Sequence, residues 1–381
     1  MFLTAIAMLA LRAPSTAPQN PTVKSGKYVV ELRVPEEGVF AQEETDIEFR
    51  LMDSTKNDEI LGMAGVPNAK TEAVQTMPEM PGMPEAKPPI HTEGVPGDYG
   101  ITFFFPHGGK FQVALKITPP GDQPFKAVFT IDVQDERTAK GKPKAKPYRL
   151  DVLTPTGAEA TKPFALNLRI VDSKSNEVVK AFDVAHERNF HLLVASKDFE
   201  WFLHDHPEMQ PDGTWKIDLN FPAGGDYYIY ADVAPAGKGS MILPNSINVS
   251  GPKPTWKVDW TTNPGPAEDT DLVGIISPVS GKLAAGTMTL MQVKLTDKAT
   301  GQPVADLEPY LGAAGHLMIF SQDGQTTVHS HPADDEATKA LVAKGIVRFN
   351  ARFPKPGKYR AFAQFQRAGK VHTLKFTLEV K

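Results

Sequence analysis

Three segments of the chain share one pattern, Phe-Pro-x-x-Gly-x-aromatic, at Phe105 to Phe111, Phe221 to Tyr227 and Phe353 to Tyr359. Each has a glycine nine residues before its proline, namely Gly97, Gly213 and Gly345. A second pattern recurs upstream, apolar-x-apolar-basic-apolar-x-Asp, at Ile47 to Asp53, Leu166 to Asp172 and Met291 to Asp297. Internal repetition restricts architecture more than any local propensity, because each copy must be a structural unit of the same kind. The repeated segments alternate apolar and polar residues with period two and are separated by Gly, Pro, Asn and Asp, which reads as half-buried antiparallel strands. The Pro-x-x-Gly predicts a turn, after which the strands from Tyr227 to Val233 and from Tyr359 to Phe365 return antiparallel. The expected class is all-β: three tandem immunoglobulin-like antiparallel β-sandwich domains. Asp335 to Lys344 is a candidate short helix in the third, with acidic residues at its start and Gly345 after it.

With 381 residues, the chain has length enough for three cores of ordinary size. The expected division is a leader over 1–20, a sandwich over 21–134, a charged linker over 135–147, a sandwich over 148–250, a linker over 251–269 and a sandwich over 270–381. Residues 65–97 are proline-rich and poorly periodic, and read as a loop of extended backbone. Phe2 to Leu11 is a ten-residue apolar run, too short to cross a bilayer and of the length of a secretory h-region. The expectation is an exported chain, periplasmic or at the cell surface, with no transmembrane segment in its mature part. A net charge of −4 lacks the basic excess that phosphate neutralisation requires, so nucleic acid is not an expected partner. Cysteine is absent, which excludes disulfide frameworks and thiolate metal sites and leaves a metal to nitrogen, oxygen or thioether ligands.

The second and third copies each carry a histidine trio. His191 is followed by His204 and His206, and His316 by His329 and His331, at identical offsets of thirteen and fifteen residues. A His-x-His pair on a strand projects both rings from one face, and a third histidine across a hairpin turned near Asp198 or Asp323 lies opposite the pair. Three convergent imidazoles suit zinc or copper(II). The alternative is that the histidines are polar rungs at a sandwich edge. Duplication accounts for equal spacing, yet the residues before each His-x-His (FEWFL and GQTTV) share nothing while the histidines persist. Asp198, Asp205, Asp323, Met241, His186, Glu187 and His372, the last expected in a loop after the repeated turn, are weaker candidates for a fourth ligand, and turn formation is the commoner role for Asp198 and Asp323.

The first copy has no trio. It has Met77, Met80 and Met83 in a Met-x-x-Met-x-x-Met array punctuated by proline, with His91 near the position of the trio. Thioethers select copper(I), so this segment reads as a copper site, or else as methionines filling a core beneath a loop. The Met-Pro-x-Met-Pro segment with the downstream Gly109-Lys110-Phe111 resembles the YtkA-like domains of exported bacterial proteins, immunoglobulin-like sandwiches related in style to the CopC-like periplasmic copper carriers. Leu311 to His316 with His329-Ser330-His331-Pro332 resembles a set of secreted bacterial domains that accompany them. The resemblance implies exported handling of copper or another heavy metal. The N-terminal His ligand of CopC-like proteins has no counterpart here, so copper chaperoning is suggested by the resemblance and is not carried over from it.

Three functions are thus compatible with the sequence. The first is an exported metal-binding protein, not an enzyme, taking copper or zinc at the trios and exchanging it with an exported or membrane protein partner. The second is a metal-free immunoglobulin-like interaction or adhesion array. The third is a metal-dependent hydrolase or lyase, against which stands the lack of a matched Glu beside either trio to act as a general base.

Overall fold

A computed structural model of the chain describes residues 20–58, 62–80, 83–135, 146–154, 156–184 and 188–381. All but the last residue of the leader, most of the linker read at 135–147, and the candidates His186 and Glu187 lie outside the described residues. The rest is strand, turn and a single described helix, arranged as six sheets in three pairs. Each pair encloses its own apolar core, centred on Phe49, Phe103 and Phe111 in the first, Leu168, Phe221 and Ile229 in the second, and Val293, Phe349 and Phe365 in the third. The second and third pairs are alike. In the second, Tyr148–Val152, Pro163–Asp172, Trp215–Asn220 and Glu208–Met209 form one sheet, and Phe202–Asp205, Phe190–Ser196, Gly225–Val233 and Met241–Val249 the other. In the third, Ala267–Glu268, Leu272–Pro278, Met288–Asp297 and Ile346–Arg352 face Thr327–Ser330, His316–Ser321, Gly357–Arg367 and Lys370–Val380.

The repeated motifs have distinct structural tasks. The motif glycines Gly109, Gly225 and Gly357 adopt φ of 128°, 152° and 143°, a region that only glycine enters without strain. The aromatic two residues later anchors the following strand: the Tyr227 hydroxyl donates to the Ala223 carbonyl at 2.8 Å, and Tyr359 to Lys355 at 2.7 Å. This is the tyrosine corner of immunoglobulin-like sandwiches. The recurrent strand-ending Asp closes the next turn, Asp172 Oδ1 accepting from the amides of Lys174 and Ser175 and Asp297 Oδ1 from those of Ala299 and Thr300.

Three expectations are corrected. The strand before Pro-x-x-Gly and the strand after it belong to opposite sheets, so the motif is a corner between layers and not a hairpin. Residues 65–97 contain the strands Lys70–Thr76 and Ile90–Thr92. Lys70–Thr76 escapes the hydrophobic pattern because its inward residues are only Ala73 and Gln75. His372, expected in a loop, sits within the strand Lys370–Val380. The short helix is present as Glu336–Val342, with the Asp335 side chain accepting from the Thr338 amide at 2.7 Å as its N-cap.

What positions the site is a fourth apolar cluster. Phe190–Ser196 and His316–Ser321 are buried along their whole length, although a sandwich strand needs only one buried face. Leu192 and Val194 face the second core and Leu317 and Ile319 the third, while Leu193, Ala195, Met318 and Phe320 turn outward and meet one another, joined by Phe199, Tyr230 and Phe362. The second and third domains are therefore packed sheet against sheet. Phe199 stacks on Phe320 with centroids 5.2 Å apart and Phe202 on Phe362 at 4.7 Å. A buried ion pair crosses the same surface, Arg360 Nη2 to Glu200 Oε1 at 2.7 Å. The segment read as a linker at 251–269 is bound to it: Trp260 lies under the Arg360 guanidinium at 4.5 Å, and Trp256 donates to Asp198.

Because Phe320 packs between domains, Phe320→Ala is expected to cost about 3–5 kcal/mol, the usual range for an aromatic removed from a core. The loss should appear as a lowered urea midpoint for the second and third domains together, with far-UV circular dichroism unchanged. A loss below 1 kcal/mol would mean that the contact contributes little.

Candidate metal centre between the second and third domains

The outward faces that carry the apolar interface also carry the histidines. In the hairpin of Phe190–Ser196 with Phe202–Asp205, Leu193 lies opposite His204, which brings His191, His204 and His206 to one face. The second hairpin does the same, Met318 lying opposite His329. Packing the two faces together merges the trios into one group of six imidazoles. The ring of His204 lies 5.1 Å from both His316 and His329, and that of His191 5.3 Å from His329, between centroids. Candidate donor atoms within 4.8 Å of one another form two groups, His191, His204 and His329, and His316, His329 and His331. The sequence reading had each trio serve one domain; the packing makes them neighbours, and the first group already spans both domains.

Within each trio the nitrogens converge. His191 Nδ1 lies 3.2 Å from His204 Nε2 and 3.0 Å from His206 Nε2, and His316 Nδ1 lies 3.4 Å from His329 Nε2. Two nitrogens bound at about 2.0–2.1 Å to one ion are about 2.9 Å apart at a right angle and about 3.3 Å apart at a tetrahedral one. The spacing is thus that of ligands sharing an ion.

The opposite ring nitrogens fix the tautomers. His316 Nε2 is 2.8 Å from the Tyr310 carbonyl, which can only accept, so Nε2 carries the proton. His329 Nδ1 is 2.7 Å from Asp232 Oδ2 and likewise donates. The two remaining nitrogens, His316 Nδ1 and His329 Nε2, face each other across 3.4 Å. A proton or a metal cation can be shared between them. In the other half, His204 Nδ1 lies 3.2 Å from Gln364 Oε1, and the Gln364 amide nitrogen donates to Thr373, which orients its oxygen toward His204. His204 Nε2 then faces inward as an acceptor. Asp232 and Gln364 hold equivalent places, each five residues after its corner tyrosine and each opposite the first histidine of its own domain. Each reaches the second histidine of the other domain. Backbone carbonyls and carboxylates on the far nitrogen are the usual support for metal-bound histidine.

The site is buried. His316 is 0% and His191 1% exposed, and the His329 ring 1%. Burial holds His204 well below the ordinary histidine pKa, with His329, His316, His191 and His206 adding repulsion. His206 is lowered to about 3, by burial first and then by His191, Arg188 and His329. Neutral rings are the metal-binding form.

The remaining candidates are dispersed. Asp198 and Asp323 accept from Ser196 and Ser321 and shape the hairpin turns; Asp205 is exposed and accepts from the His206 amide. His372 is buried 3.6 Å from Asp269, and Met241 is in the second core. In the first domain Met77 is a core residue, because the turn that aligns every third side chain points its first member inward. His91 is exposed beside Glu93 at 3.0 Å and does not join the methionines. Met80 and Met83, however, line a cavity of about 670 Å³ between the three domains, together with His107, Asp232, His329 and His331. His107 donates through Nδ1 to the Gly108 carbonyl, and its buried Nε2 has no hydrogen-bond partner. Sequence reasoning passed over His107, Asp232, Gln364 and Tyr310. The shared offset of Asp232 and Gln364 from the corner tyrosines was the available signal.

Below the ordinary histidine pKa of about 6.5, the unfolded chain binds protons that folded His204 and His206 refuse. Their contribution to stability is therefore complete above that pH and is lost as pH falls toward the folded values. The metal-free protein, melted in chelator, should show a falling midpoint from about pH 7.5 to about pH 5, and His204→Gln should flatten the fall. A wild-type midpoint that stays level or rises over this range would contradict the geometry.

No curated protein matches the chain in sequence. Among solved structures it is similar at low score to the Escherichia coli adhesin FdeC, at 11% identity over 95% of this chain and 99% of that one with a TM-score of 0.21. It is similar to the FN1–FN3 domains of chicken CNTN1 at 10% identity over 92% and 97%, with a TM-score of 0.19. Family comparison identifies residues 22–116 as YtkA-like, and does not extend to the CopC-like carriers. Residues 147–251 and 271–381 both match a domain of unknown function, DUF8832. The chain belongs to the DUF8832 family, carrying two copies of its domain behind a YtkA-like one.

Proposed function

We propose that the protein is an exported, non-catalytic metal-binding protein whose six histidines hold copper or a similar late transition metal where the two DUF8832 domains meet. The observation that carries this reading is the convergence of ring nitrogens, His191 Nδ1 lying 3.2 Å from His204 Nε2 and 3.0 Å from His206 Nε2 and His316 Nδ1 3.4 Å from His329 Nε2, with candidate donor atoms of both domains within 4.8 Å of one another. Imidazole accepts both copper(II) and zinc. Met80 and Met83 on the cavity shared with His329 and His331 favour copper, because thioethers are soft donors. Export is supported by the apolar run Phe2 to Leu11 and by a cysteine-free composition with no thiol to oxidise. Among the described residues no helix is long and apolar enough to cross a membrane. Carriage is favoured over hydrolysis because the carboxylate at the centre, Asp232, is engaged with a ligand ring and orients it.

Titration calorimetry and elemental analysis with copper(II) and zinc test the proposal on the intact protein, His204→Ala/His206→Ala and His329→Ala/His331→Ala. Wild type should retain metal through gel filtration, and each double variant should bind metal at its own trio at least 100-fold more weakly. Equal binding by wild type and both variants would leave a metal-free interaction array as the reading.

A further inference from the structure

The two halves of the centre are related by the repeat, yet they are not chemically equal. At equivalent positions, the ring of His329 is supported by the carboxylate of Asp232 and that of His204 by the neutral amide of Gln364. The cavity of about 670 Å³ adds a second difference: its lining includes His329, His331 and Asp232, and no histidine of the second domain.

We propose that the six histidines form two unequal half-sites, and that the ion held by His316, His329 and His331 keeps a coordination position open to the cavity, where it takes a small anionic donor. The inference rests on the metal-binding reading above. Three imidazoles satisfy only part of an ion's coordination, and a three-histidine site leaves room for a fourth ligand. Three neutral rings leave a divalent charge of which Asp232, through His329, balances one unit, so an anion is the favoured occupant. The cavity is far larger than a single water requires and reaches Met80, Met83 and His107 on the first domain. Position 232 against 364 sets the inequality: a carboxylate on the far nitrogen makes the ring a stronger donor than an amide does.

Azide is the probe, titrated into the copper(II)-loaded intact protein and followed by its charge-transfer absorption and by electron paramagnetic resonance. One azide per chain should bind. Ile242→Trp fills the cavity without altering a ligand, because Ile242 lines the cavity and pairs with Asp232 in the strand register. It should keep the copper stoichiometry and weaken azide at least tenfold. Asp232→Asn should lower the affinity of the azide-responsive copper about 10- to 100-fold, the usual effect of losing a supporting carboxylate. Gln364→Leu should leave the azide response intact and weaken the other half. A wild type that takes up no copper overturns the metal reading and this inference with it. Copper-loaded protein that ignores azide, or that binds it equally in Ile242→Trp, overturns the inference alone. So does an Asp232→Asn protein whose azide-responsive copper is held as tightly as in wild type.

Discussion

The structure depends on one contact, the packing of the outward sheet faces of the second and third domains against each other. In an isolated sandwich those faces would meet water and carry polar residues. Here they carry Leu193, Ala195, Met318, Phe320 and Phe362, and where the apolar patch ends they carry six histidines. The apolar part drives the association. The association in turn removes the histidines from water, lowers the basicity of His204 and His206, and places Asp232 and Gln364 on rings of the opposite domain. A histidine centre made this way is inseparable from the domain arrangement, since each half takes its supporting hydrogen bond from the other.

Much of this was legible in the sequence for a physical reason. Period-two alternation, corner glycines and equal His offsets are local features, and they report on strands, turns and hairpins whatever the neighbours do. They yielded the all-β class, the helix at Glu336–Val342 and the convergence of each trio. The merging of the trios is not local. Its trace was the run His191-Leu192-Leu193-Val194-Ala195, apolar at successive positions where a one-faced strand should alternate, which signals a strand buried on both faces. Lys70–Thr76 went unrecognised for the opposite reason, because an edge strand with only Ala73 and Gln75 inward has almost no pattern to read. The methionine array shows the limit of spacing alone. A three-residue repeat aligns side chains without saying which way the line faces, and the fold sends Met77 inward while Met80 and Met83 reach the cavity.

Duplication also explains how the centre became uneven. The present pair differs at the one position, 232 against 364, whose side chain touches the second histidine of the other domain across the interface. The copies meanwhile keep the corner tyrosines, the strand-ending aspartates and the trio offsets, which the fold and the site both need. The first domain contributes no histidine trio, yet it closes the cavity and is tied to the third domain by Arg352, whose guanidinium meets Asp135 at 2.8 and 2.9 Å.

The two DUF8832 domains are proposed to share a metal centre built from both. Diffraction data collected at the copper absorption edge from copper-soaked crystals test it most directly. Anomalous density is expected between the second and third domains, within about 2 Å of histidine nitrogens from His191, His204 and His206 and from His316, His329 and His331. Copper bound elsewhere, with the six rings turned away from one another and no density among them, would contradict it.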